Sequence, residues 1–423
     1  MKNILKSDYA KVYYFDIIAK VFSAFISIAI IRILSVGDYA EYTYFFSISS
    51  FLSGILGSGI GLAYTTYAVG LREENENLDI ILFKELIQKM LMVYPFVAIL
   101  CYLGINYILG GAKITILFGI LYGLLLSINQ INIVFFQSRK NYVRAGIISN
   151  LKSILLSSVL AIILIRQTGG GLMGIYVVYI VTIAGSICIT YYIIARNFKK
   201  DIVLNNHTKL FNSMIHDSIW TILYMFVISA FNQVDVMMLK LFRGPEAVAN
   251  YGVAFKYYSL VISALPAIQV VLRVKSSSKE MKSSLERKRR VIEWTRKVAP
   301  LSIILLAVGI IGAHFFFPII NGTEYNDAIA AFDILMLGAS ISYITAPNVS
   351  IMLGAKKQKI LFALSLGSFF TNVIGNYLFI PQKGIMAAAM TTIVAHFVLN
   401  GGSTIYLLLE GSRLKHYNEK KHF

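Results

Sequence analysis

Asp16 and Lys20 stand four residues apart inside "VYYFDIIAKVFSAFISIAIIRIL", residues 12–34, a run otherwise long and apolar enough to cross a bilayer. At that spacing both charges lie on one helical face, which Tyr13, Ser23 and Ser27 continue. A charge near the bilayer centre costs roughly 2.5 to 3.5 kcal/mol even on the lenient insertion scale, so such residues face a protein interior, a partner or a wet cavity. Two further constellations share this character. Ser229, Asn232 and Asp235 fall on one face with Gln233 beside them, and Lys256 joins Ser259 and Ser263.

These residue types suit two chemistries. Lys20, Lys256 and Lys152, with the hydroxyls of Ser23, Ser47 and Ser259, are candidates for binding a phosphate-bearing substrate. Asp16, Asp235 and Asn232 are candidates for holding a coupling ion, a proton or sodium. Plainer roles compete with each. Asp16 and Lys20 could form a local ion pair, and a lysine about eight residues from a helix end can snorkel to the headgroups. Lys152 lies about 12 Å along a helix from Arg144. Asp235 could serve helix-to-helix hydrogen bonding alone. His314 and His396 are single intramembrane histidines without a carboxylate motif, and packing is their default role. No CxxC pair or His/Cys metal cluster occurs, so no metal site is expected, and no cofactor or enzymatic chemistry is called for by a transport reading. Cys101 and Cys188 both fall inside apolar runs, so a disulfide framework is not expected either.

The elements that position these residues follow from composition. Hydrophobic residues make up 57% of the chain and charged ones only 14%, too few for a water-facing surface. About twelve runs reach the roughly 20 residues needed to span hydrocarbon. They are 12–34, 41–63, 85–109, 114–137, 144–165 and 171–195, then 217–242, 247–271, 298–320, 327–353, 358–380 and 384–409. The first run carries internal charge and lacks a small-residue cleavage site, so it is expected to stay in the protein. Pro95, Pro266 and Pro347 sit within runs and should kink them.

A formal charge of +18 raises the prospect of nucleic acid, but the distribution of Lys and Arg excludes it. With the N-terminus inside, the clusters at Arg139 to Arg144, Arg196 to Lys209, Arg273 to Lys297, Lys356 to Lys359 and Arg413 to Lys421 all fall on the cytoplasmic side. The opposite connections carry only Arg32, Lys113, Arg166, Lys240, Arg243 and Lys383. Topology explains the charge.

The runs repeat. "SRKNYVRAGIISNLKS" and "GGGLMGIYVVYIV" match "AKKQKILFALSLGSFF" and "QKGIMAAAMTTIV", with Lys140 and Lys357 set 217 residues apart. At an offset of 209, Thr43, Ser47, Ser50, Gly54 and Gly57 fall on Gly252, Lys256, Ser259, Ser263 and Pro266. Small residues on such a face let helices approach closely or line a cavity. Six runs per copy is an even number, so both copies enter from one side. The expected fold is therefore an all-α polytopic membrane protein of two six-helix lobes related by a pseudo-twofold axis along the membrane normal. The expected parts are an N-terminal lobe, 1–195, a cytoplasmic linker, 196–216, and a C-terminal lobe with a short basic tail, 217–423.

Several stretches carry a family resemblance: "RILSVGDYAEY", "GSGIGLAY", "DVMMLKLFRGPEAVANYGVAFK", "IINGTEYNDA", "IMLGAKKQK" and "FIPQKGIMAAAMTTIVAH". In this order and spacing the chain resembles, over nearly its whole length, the polysaccharide-repeat flippases of the multidrug/oligosaccharidyl-lipid/polysaccharide exporter superfamily. These are the O-antigen and capsule type. The resemblance implies a cationic central cavity opening alternately to each side, lined here by residues including Lys20 and Lys256. It implies a substrate of a few sugars on undecaprenyl pyrophosphate, coupling to H+ or Na+, and a bacterial inner-membrane location with both termini cytoplasmic. Membrane lipids, a glycan polymerase and a chain-length regulator are the implied partners. A small organic-cation exporter of the same superfamily is the nearest alternative. A membrane glycan polymerase is more remote, because Glu324 and Asp327 in "NGTEYNDA" have no second clustered site beside them.

Overall fold

Lipid offers no hydrogen bonds, so a spanning backbone must satisfy its own, and helices do so within one segment. The computed structural model describes residues 8–74, 78–109, 113–165, 171–197, 207–263, 265 and 283–421. Among these the elements are helical: α1 Asp8–Ile33, α2 Val36–Ser53, a π turn Gly54–Gly59, α3 Ile60–Glu74, α4 Leu78–Leu109, α5 Lys113–Ser138, α6 Tyr142–Ile165 and α7 Gly171–Asn197. They continue as α8 His207–Phe242, α9 Pro245–Ile262, α10 Ser284–Asn321, a 3-10 turn Thr323–Tyr325, α11 Asp327–Ile344, α12 Ala346–Gly354 and α13 Gln358–Lys421. Taking α2 with α3, and α11 with α12, as single crossings, and dividing α13 at its bend, gives the twelve crossings expected.

Several boundaries differ from the sequence reading, each for a local reason. The run 41–63 is one continuous rod from Val36 to Glu74 carrying a π turn at its middle. The run 327–353 breaks after Ile344, where Pro347 in the first turn of α12 cannot continue the preceding helix. Residues 284–297 of the basic stretch are helical, because Ser283 and Glu286 form a capping box that starts α10 at Ser284. The last two runs are joined through Gly384, whose φ of 55° a residue with a Cβ rarely adopts. Pro95 lies within α4, and Pro266 falls outside the described residues.

The chain forms two compact units, Met1–Ser229 and Ala230–Phe423, which divide inside α8. The first residues of α8 occupy 207–216, and 198–206 of the expected linker lie outside the described residues. In unit 1, α2 packs on α5 and α1 on α6. Small residues make the α5 seam close: a Cβ on Gly123 would stand 2.9 Å from the carbonyl of Ser49, and Ser49 Oγ donates to Gly119 O at 3.0 Å. Phe45, Tyr122, Tyr176 and Tyr179 stack around this seam. In unit 2, α11 packs against α9, α10 and α13.

Large apolar side chains lie on the surface as well as in the core, and amides are buried among them. Met92, Phe96 and Leu100 of α4, at i, i+4 and i+8, are 67–70% exposed, whereas Asn129 and Asn132 of α5 are buried. The repeat is also visible in the backbone. Lys140 and Lys356, both at φ 58°, end α5 and α12 in the left-handed conformation. Asn141 N–H returns to Phe136 O in one turn and Lys357 N–H to Met352 O in the other, the same closing bond. The structural register is thus Lys140 with Lys356, one residue tighter than the pairing of Lys140 with Lys357.

Candidate functional site

The densest polar cluster of unit 2 is centred on Asp235, which α8 carries seven residues before its end. The chain turns tightly at Gly244, φ 82°, and α9 runs back so that Tyr251 meets Asp235. The bend at Gly384 folds α13 on itself, bringing Asn376 and Thr392, each eight residues from the bend, to the same carboxylate. Tyr251 OH donates to Oδ2 at 2.5 Å, Thr392 Oγ1 to Oδ2 at 2.5 Å, and Asn376 Nδ2 to Oδ1 at 2.7 Å.

A second layer holds these donors. Asn372 Nδ2 donates to Thr392 Oγ1 at 3.2 Å, Asn376 Nδ2 also reaches Asn372 Oδ1 at 3.0 Å, and Thr391 Oγ1 donates to Asn376 Oδ1. All six side chains are buried. Among the described residues every partner of Asp235 is neutral, so its charge is met by aligned dipoles rather than by a cation. Such an arrangement of one carboxylate, two amide oxygens and three hydroxyls offers hard oxygen donors to a small cation, or a seat for a proton.

The other sequence candidates are distributed more widely. Asp16 lies on α1, but its side chain is outside the described residues. Lys20 is half-buried on the same helix, and α1 packs along α6, which bears the half-buried Lys152. Ser23 is half-buried, with its carbonyl accepting from Ser27 Oγ at 2.6 Å. Ser47 is 2% exposed within the packing of α2. Lys256 is half-buried on α9, and Ser259 spends its hydroxyl on Lys256 O at 2.7 Å. Asn232 is exposed and shares no hydrogen bond with Asp235, whereas Asn376 donates to it. Asn372 and Asn376, four apart in an apolar run, and the adjacent Thr391 and Thr392 were absent from the sequence candidates; amides at helical spacing inside a span were the available signal.

The histidines divide. His396 packs edge-on to Phe231 and lies 3.4 Å from Tyr258 OH, as expected of a packing residue. His314 does have a carboxylate partner: its Nε2 lies 2.8 Å from Asp333 Oδ2 on α11. Sequence spacing hid this pair, because the helices meet across the Asn321 to Asp327 turn. Cys101 and Cys188 are free thiols.

Charged residues gather at the helix ends. In unit 1 the Arg139 guanidinium grips buried Asp79 through two bonds, 2.7 and 2.6 Å, and Arg144 and Arg196 line one hollow. In unit 2 Glu410 takes Arg287 at 3.1 Å and Lys357 at 3.0 Å. Glu410 and the Tyr406 hydroxyl hold the Lys357 ammonium above the usual lysine range. Two basic segments far apart in sequence therefore converge on one carboxylate near the end of α13.

Comparison with known proteins agrees with this architecture. A family model described as "Polysaccharide biosynthesis protein" matches residues 13–272. Curated proteins give no match. Among solved structures, the lipid II flippase MurJ in an inward closed conformation is similar at 17% identity with a TM-score of 0.73, covering 95% of this chain and 87% of that one. An inward-facing multidrug resistance MATE family transporter of the MOP superfamily is similar at 12% identity and 0.73, covering 94% and 95%. The Vibrio cholerae MATE transporter VcmN, in a mutant form, is similar at 16% identity and 0.63, covering 96% and 93%.

Proposed function

We propose, starting from the fact that this chain belongs to the polysaccharide biosynthesis protein family, that it is a flippase for lipid-linked oligosaccharide repeat units, driven by an ion gradient. The observation that carries this reading is the Asp235 cluster. A buried carboxylate collected by α8, α9 and both arms of α13, and answered among the described residues by neutral donors, is costly to keep in a membrane protein without a use. Family membership supports a glycan precursor as the substrate class. Sodium suits the oxygen-rich surroundings of Asp235, and a proton is the other ion the test must address.

In this reading Lys20, Lys152 and Lys256 neutralise the phosphates of undecaprenyl pyrophosphate, while the prenyl tail stays in lipid. Ser23, Ser47 and Ser259 belong to the same substrate set, and Asp16 and Asn232 to the ion set. No covalent bond changes. The ion does work only if it binds the two access states with different affinity. The location is a bacterial inner membrane, with the basic ends, and hence both termini, in the cytoplasm. A glycan polymerase and a chain-length regulator are the expected downstream partners.

The test is glycan export in cells lacking the protein and complemented by variants. Lys256→Ala and Asp235→Asn should each lower surface glycan at least tenfold at unchanged protein level. Undiminished export by both variants refutes the assignment. Efflux of organic cations with normal surface glycan would instead identify a drug exporter.

A further inference from the structure

The end of unit 2 remote from Glu410, across the length of α10, holds two adjoining hollows that the transport reading does not use. One is polar, with a volume of about 650 Å³, lined by Arg243, Glu246, Asn250, Asn326, Asp327 and Lys383. The other is an apolar groove of about 600 Å³ between the arms of α13, walled by Phe370, Ile374, Leu378, Met390 and Val394. Each of these five side chains is about half exposed, so the groove is open to the surroundings of the helices. Lys383 lines both hollows, which therefore adjoin at this residue. Each volume lies within the range of about 300–1,000 Å³ found for small-ligand sites.

The polar hollow is built rather than incidental. Arg243 lies across Gly384 and donates one of its five N–H groups to Pro381 O at 3.2 Å, which fixes the guanidinium at the bend. Asn250 is 2% exposed; its Nδ2 donates to Glu246 O at 3.2 Å, while its Oδ1 has no hydrogen-bond partner among the described residues. A buried amide oxygen without a donor is costly and marks a place for one.

The charges decide the ligand. Two cations, Arg243 and Lys383, stand with two carboxylates, Glu246 and Asp327, and one waiting acceptor. A purely anionic head would oppose the carboxylates, and a neutral sugar would pair with none of the four exposed charges. A head carrying both phosphate and N–H-bearing ammonium answers every group, and the groove beside Lys383 receives an acyl chain.

The geometry points to a structural binding site for a zwitterionic phospholipid with a primary ammonium head, of the phosphatidylethanolamine class. The phosphate sits at Arg243 and Lys383, the ammonium at Glu246, Asp327 and Asn250 Oδ1, and one chain lies between the arms of α13. The site is independent of any glycan substrate.

The experiment is native mass spectrometry of the purified, delipidated full-length chain titrated with phosphatidylethanolamine, phosphatidylglycerol, phosphatidylcholine or undecaprenyl phosphate. One molecule of phosphatidylethanolamine should be retained with at least fivefold preference over the other three. Glu246→Gln combined with Asp327→Asn should abolish the preference, whereas Lys383→Ala should weaken retention of the amine and glycerol lipids alike. Met390→Trp, which fills the groove from its exposed wall, should lower retention of every lipid while the chain stays monodisperse. Soluble phosphoethanolamine should compete only weakly. Equal retention of the four lipids, or a preference unchanged in the Gln/Asn variant, overturns the proposal. Stronger retention of undecaprenyl phosphate overturns it too, and assigns the hollows to the transported lipid. Full competition by phosphoethanolamine excludes a part for the groove.

Discussion

Thr392 illustrates how much a single hydroxyl can carry. It donates to Asp235 Oδ2 at 2.5 Å and accepts from Asn372 at 3.2 Å, so Thr392→Val leaves the carboxylate short of a donor and the amide short of an acceptor. A loss of about 1–3 kcal/mol is expected from one unsatisfied buried group, seen as a lower melting temperature in detergent. Thr392→Ser should keep most of the stability. Asp235 was legible in the sequence because a lone carboxylate in an apolar run stands out. Its partners were not, since Asn376 lies 141 residues away and only the bend at Gly384 brings it back. Asn232 illustrates the converse: three residues from Asp235 in sequence, it is exposed and makes no hydrogen bond to that carboxylate.

At the scale of elements, glycine and charge do different work. A Cβ on Gly54 would fall 1.8 Å from Ser229 Oγ, which itself donates to Phe51 O at 3.0 Å. Gly54→Val must push α8 off the α2 rod. Overpacking of this kind costs about 1–3 kcal/mol, and thermal unfolding of the variant should show it. Ser229→Gly in the same chain should recover part of the loss. The sequence did expose this face, since Gly54 and Gly57 lie on the small-residue stripe, but not which helix would use it.

The Glu410 cluster makes a pH prediction. Lys357 is raised in the folded state, first by Glu410 and then by Tyr406, so the stability it contributes is complete below the ordinary lysine value of 10.5. It is lost as pH rises through the higher folded value. The melting temperature of the native chain should therefore fall more steeply above pH 10.5 than that of Glu410→Gln, which lacks the partner. Parallel curves for the two proteins would show that the ion pair contributes nothing.

At the scale of the whole molecule, the twelve crossings, their helical nature and their repetition were readable, because hydrocarbon imposes length and apolarity on any spanning segment. Helix breaks were less so. The π turn has no compositional signature stronger than "GILGSG", whereas the end of α11 falls beside Pro347, where a kink is expected. If the proposed function holds, cells without this protein should accumulate lipid-linked repeat units on the inner leaflet. Chemical labelling of leaflet-exposed sugars in spheroplasts measures that, and an unchanged inner-leaflet pool would count against it. The π turn has its own global effect. A wide turn holds one residue more than an ordinary one, so it works as an offset in a screw thread, and everything beyond Gly59 is phased by it. Straightening the same residues into a regular helix, without the deletion of Ser58 that would leave the phase unchanged, would swing the side chains of α3 about 100° around its axis. Tyr64, now buried with its hydroxyl on Asp79 O, would be carried out of register with a partner anchored on another helix.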